Sequence, residues 1–497
     1  MTLGETGIGS IELDPKSRDD IPQILRGLQF IWITLALRLR VFEILQTILP
    51  DGVLGKANPD VGRPGMTQWE ILVLGILRLA LNADYDRIHE LANQHGTIRQ
   101  MLGISDWDKK WYELQTIKDN LRLFTPEILA QINQVVVEAG HTLINEDVME
   151  EAKEEGEGEE ERLHARVDSF VVETDVEYPT DLNLLQTAIQ KVIKICAMLC
   201  LLYGLTEWRQ SGYQSRQFKK AYNAIMRLRS SRSKDEEKRA AKQAEIEGAY
   251  QSHLEKAEEL LERARNTRQH LIDMNVSPFE FKELDEFIAH AERQIDQIRR
   301  RVLQGETIPH EEKVFSLFEP HTEWVVKGKA GVPVELGVPV VIVEDQHGFI
   351  LNHKVMEDTS DSEVAIPLIE ETKELFPNLS SASFDKGFHS PDNQTKLGTI
   401  LEQVVLPKKG KLSEKDKERE HAPEFIEARR QHPAVESAIN ALEVHGLDRC
   451  PDHGIDGFKR YVALAIVARN IQLLGAILRR QEKKKDERKR RLYRKAA

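Results

Sequence analysis

Asp168, Asp385 and Glu436 are the residues from which chemistry can be built. Asp385 lies in "SSASFDKGFHSPDNQ" (380–394), where it closes a short β-prone run ahead of a glycine and a proline-punctuated polar stretch. The tip of a strand is where open α/β sheets place the groups that hold metal ions or substrates. Asp168 sits within the β-branched run "LHARVDSFVVETDV", and Glu436 within the helical pattern "HPAVESAINALEVHGLDRC". Taken singly, such an aspartate reads as a turn or cap residue and such a glutamate as a solvated helix position. Taken together, three carboxylates brought into one place repel one another and invite divalent cations. All-oxygen, carboxylate-rich ligation suits Mg²⁺ or Mn²⁺ and argues against zinc.

The elements that must position these acids follow from periodicity. Residues 22–145 read as helical, with apolar spacings of three and four broken at Gly96, Gly103 and Pro126. Tyr85, Ile88 and Leu91 ahead of Gly96 fit either a helix-turn-helix or a plain packing or dimerisation module. The run "EDVMEEAKEEGEGEEE" (146–161) has too little apolar content to pack and reads as a linker or exposed loop. A strand follows at 164–173, then a helix capped by Thr180 or Asp181. From about 236 to 303 the pattern is heptad-like, with Tyr250, Leu254, Ala257, Leu261 and Ala264 on one seam and Leu284, Ala291, Ile295, Ile298 and Val302 on another. Ser277, Pro278 and Glu280 give a stop and restart between the two runs, so a coiled-coil-like helical hairpin is expected. Two β-rich runs flank "EDQHG" and predict a hairpin turning at Gly348. A helix, the strand ending on Asp385, a short strand at "EQVVLP" and two further helices complete the order.

The expected fold is therefore α/β: a mixed five-stranded sheet with helices, interrupted by a long helical-hairpin insertion and preceded by an all-helical domain. The boundaries are a helical N-terminal domain over 1–145, an acidic linker over 146–162, the first part of a catalytic domain over 163–205, a helical insertion over 206–310, the remainder of the catalytic domain over 311–480 and a basic tail over 481–497. With 497 residues, two or three domains are expected.

Composition narrows the function classes. The chain is 40% hydrophobic and 30% charged, as in a soluble globular protein with charged helices. Its three cysteines are too few for a disulfide framework and lack a zinc-binding spacing; Cys196 and Cys200, four apart on an apolar helix face, read as core packing. The apolar stretch "LQFIWITLALRLRVFEILQTIL" is interrupted by Arg38, Arg40 and Glu43 and falls short of a bilayer span. No signal sequence begins at Met1, so a cytoplasmic location is expected. The net charge of −13 hides segregation: basic runs at 216–234 and 479–495 stand against the acidic run at 146–161. A basic face can bind phosphate although the total is negative.

In combination, "RVDSFVVETDVEYPTDLNLL", "FEPHTEWVVKGKAGVPVELG", "SFDKGFHSPDN" and "HPAVESAINALEVHGLDRC…GFKRYVALAIVARNI" resemble the transposases of bacterial insertion sequences with a DDE catalytic triad, in particular the ISNCY group. The resemblance covers roughly residues 65–480. It implies a ribonuclease H-like catalytic domain in which Asp168, Asp385 and Glu436 bind two Mg²⁺ ions, with Mn²⁺ as a substitute. Asp168 would bridge the ions, with Asp385 and Glu436 each favouring one. Glu443, two turns further along the same helix, competes with Glu436 for the third place. Many relatives outside this group carry Lys or Arg there.

The implied partners are transposon terminal repeats and target DNA, with the protein acting at the nucleoid as a dimer or larger synaptic assembly. Lys327, Lys329, His389 and Arg449 are candidate DNA contacts. Solvated lysines are the ordinary alternative for the first two, and a structural role or a general base for His389. Two other functions compete: a non-catalytic DNA-binding or architectural protein, and a ribonuclease H-like nuclease that cuts without joining.

Overall fold

The computed structural model describes residues 7–48, 65–105, 108–152, 162–230, 236–326 and 334–496. The chain is mixed α/β and divides into two compact units, Met1–Asp175 with Val325–Ala497, and Val176–Trp324.

The first unit is built around the helix Ile455–Ala496. From Tyr461 to Gly475 every side of this helix is buried except at Arg469. A helix that is apolar all round must be covered on every side. Helices Ile21–Ile33, Gln68–Ala80 and Pro126–Ala152 supply that cover, together with a strand of the sheet. The N-terminal helices and the sheet thus share one hydrophobic core, and the separate domain expected over 1–145 is not observed. The cause is the all-round apolar surface of the C-terminal helix, which the N-terminal helices cover together with a strand of the sheet. Asn133 and Asn470 lock this junction. Asn470 Nδ2 donates to Asn133 Oδ1 at 2.7 Å, and both amides donate to the Ile350 carbonyl at 2.9 Å. Asn470 Oδ1 accepts from Ile350 N–H at 3.0 Å, so a fully buried polar group is satisfied.

Two helices, Asp181–Tyr203 and Ile455–Arg488, are long and apolar enough to cross a membrane by composition; 83% of the apolar window of the second is buried inside the protein. Residues 481–496, expected as a tail, continue this helix. Residues 146–152 of the expected linker continue the helix Pro126–Ala152; the rest, 153–161, lie outside the described residues. Tyr85–Gln94 and Gly96–Met101 are helices, but the second has six residues, less than two turns, and provides no recognition helix for a groove.

The sheet has seven strands: β1 Leu163–Thr174, β2 Glu323–Val326, β3 Val334–Glu344, β4 Ile350–Val355, β5 Leu379–Phe384, β6 Gln403–Val405 and β7 Arg449–Cys450. The path is β2-β3-β1-β5-β6, with β4 also on β3 and β7 also on β1. Two short strands, β2 and β7, extend the expected five. β3 runs antiparallel to β1 and β4, whereas β5 and β6 are parallel additions. The β3–β4 hairpin turns at Gly348, whose φ of +86° is open to glycine at no steric cost. The segment expected as one helix through Arg449 breaks instead. Helix Val435–Leu442 passes into a π-turn, Gly446 takes φ +95°, and Arg449 enters β7.

The second unit is a helical bundle of Asp181–Tyr203, Ser211–Ser230, Glu236–Asp273 and Lys282–Ile298. Thr180 caps the first, accepting from Asn183 N–H at 3.1 Å. Tyr250, Leu254, Ala257, Leu261, Ala264, Leu284, Ala291, Ile295 and Ile298 are all buried, as the heptads require. Ser277 marks the restart, although its hydroxyl makes no cap bond. Both long helices bury their seams against Asp181–Tyr203 rather than against each other alone. That helix, expected in the catalytic domain over 163–205, therefore belongs to the helical unit, which begins near residue 176 and not 206. Cys196 and Cys200 lie in its buried face.

Candidate active site

Strand β1 carries the first acid. Its parallel register with β5 ends at Val167 opposite Phe384, so Asp168 and Asp385 occupy neighbouring positions immediately beyond the last pair. Asp168 is half-buried and Asp385 exposed. Asp385 caps the short turn Lys386–Phe388, accepting weakly from Gly387 N–H at 3.5 Å. Glu436 is exposed in the first turn of Val435–Leu442, a helix that packs on β1. The structure thus brings together the three acids that the sequence separates by up to 268 residues (436 − 168).

Their electrostatics show the proximity directly. The Asp168 carboxyl is pushed up to about 6, first by burial and then by the negative charges of Asp385, Asp361 and Glu436. A bond from Ser169 N–H to Asp168 Oδ1 at 2.8 Å opposes this only in part. Glu436 is among the largest charges acting on Asp168. Glu443 begins the π-turn beyond the helix and is exposed.

Two participants were missed by sequence reasoning. Asp361 is the first residue of the helix Asp361–Leu375 and accepts from Ser169 Oγ at 2.7 Å. In "DTSDSE" it looks like an ordinary acid favouring a helix N-terminus, since Ser360 and Glu363 form the reciprocal cap beside it. Gly387 explains part of the "DKG" block. A Cβ there would stand 2.6 Å from Asp361 Oδ2, so any side chain displaces that carboxylate. His432 is the second: its Nδ1 lies 3.0 Å from Ser383 Oγ. Burial holds its pKa below the ordinary value although Asp385 and Glu436 pull it up. It is therefore a neutral imidazole near pH 7. The only available signal was its place four residues ahead of Glu436.

Beside the acids runs an open cleft of about 540 Å³ on the β1–β5–β6 surface. Its polar lining is His164, Arg166, Ser381, Ser383, Gln403 and Gln431 together with two carboxylates, Glu424 and Glu427. Arg166 and Ser383 stand two positions before Asp168 and Asp385, hence on the same sheet face. The Arg166 guanidinium is held by Glu344 at 3.1 Å and does not neutralise the acids.

The other candidates are dispersed. His389 is half-buried, its pKa lowered first by burial and then by the nearby Arg419 and Lys408, which are themselves paired with Asp416. Arg449 is engaged by Glu173 at 3.2 Å and Asp175 at 3.5 Å, so it is not a free phosphate contact. Lys327 and Lys329 lie outside the described residues.

The donor set fits Mg²⁺ or Mn²⁺: four carboxylates, no sulfur, and no lysine or arginine paired with any of them among the described residues. The unrelieved negative charge that raises Asp168 is what a dication would offset. Among the described residues, no three such side chains already stand close enough to share one ion, so binding requires the carboxylates to draw together.

A stability prediction follows from Asp168. A raised carboxyl pKa means that the ionised group opposes folding. The penalty is absent below its ordinary value of 3.8, grows between there and about 6, and is complete above it. Asp168→Asn is expected to stabilise the metal-free protein at pH 8 by on the order of 2 kcal/mol, after allowance for solvent screening. Melting curves in chelator should show that gain shrinking as pH falls and gone near pH 3.5. A gain independent of pH would refute this origin.

Comparison with protein-family models, curated proteins and solved structures finds no match to this chain.

Proposed function

We propose that this chain is a DNA transposase of the DDE type, cutting phosphodiesters at the ends of a mobile element and joining the freed ends to target DNA. The observation that carries the reading is the β1–β5 register, which sets Asp168 beside Asp385 with Glu436 acting on the same carboxyl. The sheet supports it: β4, β3 and β1 form an antiparallel set extended by parallel β5 and β6, the arrangement expected of a ribonuclease H-like domain.

Asp168, Asp385 and Glu436 would hold Mg²⁺, which when bound supplies Lewis-acid stabilisation of charge at phosphorus and lowers the pKa of a bound water. The remaining work falls to the chain itself. His164, Ser381, Gln403 and Gln431 present hydrogen-bonding groups along the cleft leading to the acids, where a strand backbone would lie. His432, neutral and close to Asp385 and Glu436, can take a proton released beside them. His389 offers a polar ring on the Asp385 side, with the ion-paired Lys408 and Arg419 close by.

Asp361 acts as a positioning residue, holding the Ser169 hydroxyl and seated against Gly387. Asp361→Asn keeps the size and is expected to lower cleavage by roughly 10- to 100-fold, the usual scale for an outer partner of a metal ligand. It should also raise the Mg²⁺ concentration for half-maximal rate, and Gly387→Ala should do likewise. An unchanged Mg²⁺ dependence in both variants would remove Asp361 from the site.

The test of the function is a reaction with duplex DNA carrying the inverted repeats that flank the coding region, in Mg²⁺. Cleaved and joined products are expected. Pre-cleaved ends bearing a 3′-hydroxyl separate the alternatives, since cutting without joining would identify a nuclease.

A further inference from the structure

The helical unit contains a cavity of about 470 Å³ that the proposed chemistry does not use. Its wall is a chain of four rings. His310 and Phe315 have centroids 5.3 Å apart, Phe315 and Trp324 5.6 Å, and Trp324 and Tyr178 5.7 Å. Tyr178 is 59% exposed and His310 is exposed, with Phe315 and Trp324 half-buried between them, so the series opens to solvent at both ends. A tyrosine that open is poorly explained by packing. Tyr178 and Trp324 meet at 65°, edge to face, so the two rings form a corner in which one planar group can stack on one ring and touch the other.

The charge around the rings is specific. Arg301 is matched by Asp181 at 2.6 Å, and Glu306 by Arg300 at 2.9 Å. Arg229 and Lys313, also in the lining, have no carboxylate partner among the described residues; Arg229 reaches only the Tyr250 hydroxyl, at 3.5 Å. Once the internal pairs cancel, two cations remain beside an aromatic wall. A ligand matching both features has a flat π-face and an attached anion.

We propose that this cavity binds an unpaired nucleotide of a nucleic-acid strand, its base seated in the corner between Trp324 and Tyr178 and its phosphate near Arg229 and Lys313. Bases inside a duplex have both faces covered, so the site selects single-stranded or frayed segments. Its volume lies within the roughly 300–1,000 Å³ of small-ligand sites. Stacking is tolerant of sequence, because every base has a π-face, and the cations add salt dependence. The identification of the ligand as nucleic acid rests on the transposase reading, whereas the stacking wall and its two cations do not.

The experiment uses the full chain, a fluorescein-labelled 15-nucleotide thymidine strand, and the same strand annealed to its adenine complement, read by anisotropy. The strand is expected to bind more tightly than the duplex. Trp324→Ala and Tyr178→Ala, each confirmed as folded by circular dichroism, should weaken strand binding by roughly 5- to 100-fold and leave duplex binding unchanged. Trp324→Phe, which keeps a ring, should retain most of the affinity. Equal strand affinity in both alanine variants and the unsubstituted protein would overturn the proposal, as would parallel loss of strand and duplex binding. Asp168→Ala separates this site from the proposed catalytic one. It should bind the strand normally while failing to cleave; a variant that still cleaves removes the transposase reading and leaves the stacking result standing.

Discussion

If the proposed chemistry holds, Asp168→Ala and Asp385→Ala are each expected to reduce strand cleavage by roughly three orders of magnitude or more, with the fold unchanged. The scale follows from the chemistry: a carboxylate that binds a catalytic cation underlies several kcal/mol of stabilisation at phosphorus, and about 1.4 kcal/mol is tenfold in rate. Asp168 should be the more sensitive, because it is half-buried and feels the charge of the other three acids. Glu436→Gln belongs with them, whereas Glu443→Gln should cleave within a few-fold of the unsubstituted protein, since Glu436 is among the largest charges acting on Asp168 and Glu443 lies in the π-turn beyond the helix. Gel-resolved cleavage of labelled DNA ends at saturating Mg²⁺ reads all four. Equal loss in Glu436→Gln and Glu443→Gln, or none in Asp168→Ala, would dismantle the proposed triad.

The second large effect is on stability. Where helices Ile21–Ile33 and Ile455–Ala496 cross, their backbones touch through a pair of glycines. A Cβ on Gly475 would stand 2.0 Å from the Gln23 carbonyl oxygen, and one on Gly27 would stand 2.3 Å from that of Ile471. Neither neighbour is a side chain that can rotate away. Gly475→Ala and Gly27→Ala therefore force the helices apart, and each is expected to cost about 3 kcal/mol or more, at the upper end of overpacking effects. Urea melts should show the midpoint falling for each. Because both substitutions open the same crossing, the double variant should lose less than the sum. A neutral Gly475→Ala would mean that the helices do not meet as described.

Legibility in the sequence was uneven, for physical reasons. β1, the β3–β4 hairpin and the strand ending at Asp385 were readable because their signals are local: period-two burial, a turn glycine, a polar break. The helical hairpin was readable because heptads persist along both arms. What failed was partnership. Asp181–Tyr203 follows β1 in the chain and reads as a helix of the catalytic domain over 163–205, but its apolar face is matched by the seams of the long helices. The N-terminal helices look self-sufficient until the all-round burial of Tyr461–Gly475 shows what they must cover. At the site, the three acids stood out through their flanking blocks. Asp361 did not, because a carboxylate at a helix start has a sufficient local explanation, and its bond to Ser169 spans 192 residues. Arg449 was misjudged because the left-handed turn at Gly446, packed under the Tyr461 hydroxyl, diverts the chain into β7.

The pairing of β1 with β3 places Glu173 opposite Gly337, so the entire helical unit hangs in what is formally the loop of an antiparallel hairpin. Closing an unstructured loop of that length is entropically unfavourable and slow to find. The ring contact between Tyr178 and Trp324 draws the two ends of the bundle together once it has formed, shortening the effective loop to a few residues. The bundle is therefore expected to form before β1 and β3 pair, an order that pulsed hydrogen exchange would read.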